Sequence, residues 1–112
     1  MEIATLRKGA VAVVILSGEV DTTTVAGLHA AFDDLVSRGE RNYVIDLSNL
    51  TFMDSSGLAA LAKLYKRIRI GHGDVRLCCP RSEMRRIIEL TRFDRVFDIF
   101  EERDAAVASF SE

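Results

Sequence analysis

The chain has 112 residues, enough for one domain that buries a hydrophobic core without disulfides or metal. Hydrophobic residues make up 48% of it and charged residues 29%, which is typical of a soluble globular protein. The net charge of −2 lacks the concentrated basic charge of nucleic-acid binders, so we expect no nucleic-acid partner. No apolar run approaches the roughly 20 residues of a membrane span, and the N-terminus lacks a signal-peptide pattern. We therefore expect a cytoplasmic protein that does not enter a membrane.

The first third of the chain is predicted to form two strands and a helix. Residues 3–7 and 11–16 are typical of an edge strand turned back on a buried strand. The run Gly18-Glu19-Val20-Asp21 predicts a loop. Apolar residues then recur at helical spacing from Val25 to Val36, and Gly39 predicts the end of this helix.

Alternation of strands and helices continues to the end of the chain. We predict, in order, a strand over 43–47, a helix over 56–70, a strand over 75–79, a helix with an apolar face from Met84 to Thr91, a short strand over 96–99 and a helix from about Arg103. Helical crossovers of about 10–15 residues require parallel strands. The predicted fold class is therefore α/β, with a mixed, mostly parallel central sheet of about four to five strands and about four helices.

Motifs for catalysis, nucleotide binding and metal binding are missing. Neither a G-x-x-x-x-G-K-[ST] nor a G-x-G-x-x-G loop occurs in the sequence. Ser55 and Ser56 would need a base, but the two histidines fall in the middle of a helix and in a turn. Cys78 and Cys79 are neighbours in a predicted strand, so we expect them to point to opposite faces as buried thiols. They also lack the spacing and further ligands of a zinc site. We expect no catalytic residue, cofactor or metal.

The most informative segment lies where the strand over 43–47 gives way to the helix over 56–70, and it reads Asp54-Ser55-Ser56-Gly57-Leu58. The free N–H groups and positive dipole end of a helix start favour anions, so a phosphate here would be tolerated and visible to a partner. Aspartate and serine are also favoured helix N-caps. Glycine in the first turn costs roughly 1 kcal/mol relative to alanine, which suggests close approach by another molecule. The residues alone leave a functional loop and a simple cap open.

The run from Phe52 to Leu58, preceded by Gly18-Glu19-Val20-Asp21, resembles the STAS family (sulfate transporter and anti-sigma factor antagonist domains). More narrowly, it is similar to the stand-alone bacterial anti-sigma factor antagonists. The likeness extends to length, element order, both loops and the late turn Leu90-Thr91-Arg92-Phe93. It implies that residues 1–112 form a single STAS domain with a STAS-like fold.

The resemblance implies a partner-switching protein that is not an enzyme. The serine directly after the aspartate, Ser55, would accept a phosphate, although the residues themselves do not select it over Ser56. The unphosphorylated protein would bind an anti-sigma factor with serine kinase activity and free its sigma factor for transcription. A separate metal-dependent serine phosphatase would remove the phosphate. The ATP would belong to the kinase, so no cofactor is expected here.

The same resemblance implies a partner-binding surface made from both loops. Its residues would be Asp21, Thr22, Thr23, Asp54, Ser56, Gly57 and Leu58. Capping of the following helix by Thr22 or Thr23 is the alternative explanation for the first loop. Alternative functions are a STAS scaffold or accessory subunit of a signalling or transport complex, or a nucleotide-binding domain. A monomer is the default expectation.

Overall fold

The computed structural model describes residues 1–111. Its strands are β1 (Glu2–Lys8), β2 (Val11–Val20), β3 (Asn42–Met53), β4 (Asp74–Cys78) and β5 (Ile99–Phe100). Its helices are α1 (Val25–Ser37), α2 (Ser55–Ile70), α3 (Ser82–Thr91) and α4 (Arg103–Ala108), with short 3₁₀ helices at Phe93–Arg95 and Ser109–Ser111. The predicted α/β class and order of elements are confirmed. Within residues 1–111, none of the helices combines the length and apolarity needed to cross a bilayer.

The five strands form one mixed sheet in the order β1-β2-β3-β4-β5. β1 is antiparallel to β2, and every other neighbouring pair is parallel, as predicted. Successive right-handed crossovers that all step in one direction place their helices on the same face. Residues of α1, α2 and α3 accordingly pack with the sheet in the larger core cluster. Residues of α4 pack in a separate, smaller cluster.

The predicted loop at residues 18–21 is wrong, because β2 continues to Val20. The register of β2 against β3 shifts at two places, between Ile15 and Ser17 and between Gly18 and Glu19. Gly18 has a φ of +91°, a conformation that glycine adopts at low cost. A glycine inside a strand often marks such an irregularity. The glycine that suggested a loop therefore bends a strand that remains paired.

Two further predicted strand boundaries differ from the structure. β3 extends to Met53 instead of ending at residue 47, because its second half pairs with the second half of β2. The strand predicted over 96–99 is instead β5, at Ile99–Phe100. Phe97, inside the predicted range, is buried in the larger core cluster and lies outside the strand. The longer β2 and β3 bring both candidate loops to the end of the sheet.

The predicted strand over 75–79 ends at Cys78, and this changes the direction of Cys79. Cys79 has a φ of +63°, which breaks the alternation of side chains along an extended strand. Its side chain therefore packs in the same cluster as Cys78, so the expectation of opposite faces is wrong. Both thiols are free, and Cys78 is buried while Cys79 is half-buried.

Candidate functional site

The carboxyl ends of β2 and β3 place the two candidate loops side by side. Val20 pairs with Met53 in the parallel register, so Asp21 and Asp54 each follow one of two adjacent strand ends. The Asp54 N–H donates to the Val20 carbonyl at 3.0 Å and ties the loops together. A partner that contacts one loop can therefore contact the other.

Asp54 caps the start of α2. Its Oδ1 accepts hydrogen bonds from the Ser56 N–H at 2.9 Å, the Gly57 N–H at 3.3 Å and the Ser56 hydroxyl at 2.5 Å. The Ser56 hydroxyl is the main cause that holds the pKa of Asp54 below its usual value, while the nearby Asp21 carboxylate acts in the opposite direction. The carboxylate thus occupies two of the N–H groups at the helix start that an incoming anion would otherwise use.

The two serines after Asp54 have different environments. Ser55, the first residue of α2, is exposed, and no partner in residues 1–111 hydrogen-bonds its hydroxyl. Ser56 is half-buried, and its hydroxyl donates to Asp54. Of the pair, only the Ser55 hydroxyl is both exposed and uncommitted within the described part of the chain.

Gly57 has a packing role inside the protein. It is buried, and a Cβ at this position would lie 2.5 Å from Met53 Cγ and 2.8 Å from Val20 Cγ1. The close approach that the sequence suggested for another molecule is therefore made by side chains of the same chain. Leu58, the next residue, is half-buried and packs against the larger core cluster.

The loop after β2 is held by Asp21 and Thr24. Asp21 Oδ1 accepts from the Thr23 N–H at 2.9 Å and the Thr23 hydroxyl at 2.6 Å, and this hydroxyl is the main cause that lowers the Asp21 pKa. Thr24 is the N-cap residue of α1, and its Oγ1 accepts from the Asp21 N–H at 2.9 Å. The alternative in which Thr22 or Thr23 caps α1 is therefore wrong. Thr22 is exposed.

Phe52 is an exposed apolar residue at this site that was not predicted to lie on the binding surface. Its side chain is 42% exposed, and it pairs with Glu19 across β2 and β3. It precedes Asp54 by two residues. Its position follows from the extension of β3 beyond the predicted strand boundary.

Comparisons of the sequence and of the structure with known proteins identify similar proteins of one family. The sequence profile of the STAS domain matches residues 2–106. RsfB of Mycobacterium tuberculosis, named an anti-sigma-F factor antagonist, is 34% identical over 94 residues that cover 80% of this chain and 73% of RsfB. The crystal structure of an anti-sigma factor antagonist from Mycobacterium paratuberculosis has a TM-score of 0.91 at 29% identity, over 99% of this chain and 94% of that one.

The fold is also that of the Bacillus protein SpoIIAA in two states. The unphosphorylated form has a TM-score of 0.75 at 18% identity, over 98% of this chain and 97% of that one. The phosphorylated form has a TM-score of 0.76 at 19% identity, over 97% of this chain and 99% of that one. At these identities the likeness concerns the fold. Taken with the profile and the mycobacterial relatives, it shows that the chain belongs to the STAS domain family, among the anti-sigma factor antagonists.

Proposed function

We propose that this protein is an anti-sigma factor antagonist that is switched off by phosphorylation of Ser55. The unphosphorylated protein binds a cognate anti-sigma factor with serine kinase activity and frees the sigma factor. A metal-dependent serine phosphatase restores the binding form. The STAS domain, which spans residues 1–112 in this proposal, acts as a monomeric cytoplasmic ligand and substrate, without enzyme activity or cofactor. The observation that carries the proposal is the exposed Ser55 hydroxyl, next to a Ser56 hydroxyl held by Asp54.

The surroundings of Ser55 support a charge switch. Phosphoserine adds about −1.5 to −2 charges at pH 7. Asp54 already occupies the N–H groups of Ser56 and Gly57, so a phosphate on Ser55 could use these two groups only if Asp54 were displaced. The Asp21 carboxylate adds a further negative charge nearby. When a partner removes water from this surface, the phosphate and the two carboxylates would repel one another more strongly, so binding should weaken.

The partner surface in this proposal combines both loops. It consists of Asp21, Thr22, Thr23, Asp54, Ser56, Gly57 and Leu58. Gly57 is the buried member of this set, and Phe52 adds an exposed aromatic ring. Asp21→Ala tests the contribution of the first loop, because it removes a carboxylate on the loop that does not carry Ser55. We expect weaker partner binding, and unchanged binding would remove this loop from the surface.

The main test is a pull-down from a lysate of the native host with Ser55→Ala and Ser55→Asp as paired baits, read by mass spectrometry. We expect an ATP-binding serine kinase on the alanine bait, with about 100-fold or more lower affinity for the aspartate variant. Ser37→Asp adds the same charge at the exposed last residue of α1 and serves as the matched control. Equal capture by both Ser55 baits would contradict the proposal and favour a scaffold.

Phosphorylation is expected to act at the interface without changing the fold. Both the unphosphorylated and the phosphorylated form of SpoIIAA have the fold of this chain, which supports this expectation. Backbone amide chemical shifts of the phosphorylated and unphosphorylated protein provide the measurement. Changes should be confined to the surroundings of residue 55 and the adjacent loop. Large changes in α3, α4 or β5 would show that the switch reorganises the domain.

A further inference from the structure

We propose that Asp46, Cys78 and Cys79 form a binding site for a thiophilic divalent cation such as Zn²⁺. A carboxylate oxygen of Asp46 and the two Sγ atoms all lie within 4.8 Å of one another. Zinc–sulfur bonds of about 2.3 Å and zinc–oxygen bonds of about 2.0–2.2 Å place the ligands of one tetrahedral ion roughly 3.5–4 Å apart. Small side-chain adjustments would therefore bring all three donors onto one ion. The site lies apart from Ser55 and does not depend on the proposed switch.

The backbone brings the three donors to one face of the sheet. Asp46 of β3 and Cys78 of β4 are direct partners in the parallel register, so their side chains share a face. Cys79 would point to the opposite face in a regular strand, but its φ of +63° turns it back to the same cluster. Non-glycine residues adopt this conformation rarely, and those that do are often found at functional sites. The strained backbone thus produces the convergence of the two thiols.

Charge balance favours a divalent ion over a monovalent one. Asp46 is the only charged residue among those described that is buried, and its Oδ2 accepts from Arg103 Nε at 2.8 Å. Its Oδ1 accepts from the Ser48 N–H at 2.9 Å, and each oxygen keeps a second lone pair for a metal. Because Asp46 and Arg103 neutralise each other, the two thiolates together would balance a charge of +2. Sulfur donors disfavour Mg²⁺ and Ca²⁺, which take oxygen ligands.

Access to this site is through Cys79. Asp46 and Cys78 are buried, whereas Cys79 is half-buried, so an ion and a water as fourth ligand can approach from its side. On binding, the two S–H bonds break, two metal–sulfur bonds form and two protons pass to solvent. The contact from Arg103, the first residue of α4, orients the carboxylate, as outer contacts do in known metal sites. Metal binding should therefore also stabilise the docking of α4 on the sheet.

The experiment is a titration of the reduced 112-residue protein in metal-free buffer with Co²⁺, followed by Zn²⁺. We expect one Co²⁺ per chain, a thiolate-to-cobalt charge-transfer band in the near ultraviolet, its loss when Zn²⁺ displaces the ion, and a higher melting temperature with Zn²⁺. Cys79→Ser and Cys79→Gly should each abolish the band and weaken binding by about 100-fold or more. The glycine variant relieves the positive φ, so loss of binding there cannot be attributed to a strained backbone.

Circular dichroism of both variants without metal provides the control for folding. Ser55→Ala, which changes an exposed side chain at the first residue of α2, should bind Co²⁺ normally. Absence of the charge-transfer band in the wild-type protein would overturn the proposal. A band of unchanged intensity and midpoint in both Cys79 variants would also overturn it. So would a spectrum of oxygen-ligated, octahedral Co²⁺, which would place the ion on exposed carboxylates.

Discussion

The turn after β2 and the turn after β3 share one construction, an aspartate followed by two hydroxyl residues. In each, the aspartate Oδ1 accepts from the N–H two residues further on at 2.9 Å. It also accepts from the hydroxyl of that residue, at 2.6 Å after β2 and 2.5 Å after β3. The middle residue, Thr22 or Ser55, is exposed in both turns. Local hydrogen bonding alone therefore does not distinguish the two.

The two turns differ in how each one leads into its helix. α2 begins immediately after Asp54, which is its N-cap, whereas α1 begins only at Val25 with Thr24 as N-cap and no side-chain cap bond. Ser55 therefore occupies a fixed position at the start of a 16-residue helix, while Thr22 stands in a turn that precedes its helix. The helix start, rather than the aspartate turn, thus sets Ser55 apart as the proposed modification site.

The largest expected effect separates Ser55 from Thr22 as phosphoacceptors. We expect protein purified from the native host to carry phosphate in the wild type and in Thr22→Ala, and to carry none in Ser55→Ala. The reason is that, under the proposed function, the kinase acts on the hydroxyl at the start of α2. Intact-mass measurement followed by peptide sequencing gives the result. Phosphate at Thr22 of the Ser55→Ala protein would show that the turn after β2 can also be phosphorylated and that the helix start does not decide the site.

A second expected effect concerns the glycine at the third position of each helix. Gly57→Ala should lower the free energy of unfolding by about 1–2 kcal/mol, because overpacking against Met53 and Val20 outweighs the gain in helix propensity. Gly27→Ala should raise it by up to about 1 kcal/mol, since a Cβ there would only contact Met1 Cε at an ordinary 3.6 Å. Urea unfolding of both variants measures the two changes.

Changes of opposite sign in the free energy of unfolding of the two variants would be the informative outcome. If both alanines stabilise the protein, Met53 and Val20 move aside at little cost, and α2 does not need glycine to sit against the strand ends. If only Gly57→Ala is destabilising and this variant still binds the partner of the wild-type protein, the tight contact of Gly57 with Met53 and Val20 is needed for stability. The partner-binding surface would then not depend on it.

Most of the fold could be predicted from local signals. The helical periodicity of α1 and α2, and the change from strand to helix at Asp54, depend on residues close together in sequence. The ends of β2 and β3 could not be predicted in this way. Gly18 suggested a loop, yet pairing between the distant second halves of these strands keeps it in the sheet. Strand boundaries here depend on the partner strand.

The candidate site shows the same division between local and non-local signals. The pattern around Ser55 was visible in the sequence, and the family resemblance favoured Ser55 over Ser56; the hydrogen bond that engages the Ser56 hydroxyl adds a physical reason for that proposal. The contact that explains Gly57 involves a side chain from β2 and is likewise non-local. Cys79 shows the limit most clearly, because a single positive φ reverses the direction that strand alternation predicts.

The smallest expected effect is on the pKa values of the two aspartates. Both are held below the usual value, most strongly by the hydroxyl two residues further on. Ser56→Ala should therefore raise the pKa of Asp54 and leave that of Asp21 nearly unchanged, and Thr23→Ala should do the reverse. Carboxyl-carbon NMR titration measures each site directly. A shift of both pKa values in either variant would show that the two turns form one hydrogen-bonded unit.

Electrostatic coupling between the two turns can be tested through the same pKa values. The Asp21 carboxylate raises the pKa of Asp54, so Asp21→Asn should lower it further. Because the pKa of Asp54 is lowered in the folded state, its carboxylate contributes stability at pH values above the unfolded pKa of about 3.9. That stability is lost as the pH falls through the folded-state pKa. In Asp21→Asn, the stability that the Asp54 carboxylate contributes should therefore be lost at a lower pH than in the wild-type protein. No change in the Asp54 pKa would mean that solvent screens the two carboxylates from each other, and a phosphate on Ser55 would then have to repel the partner without help from Asp21.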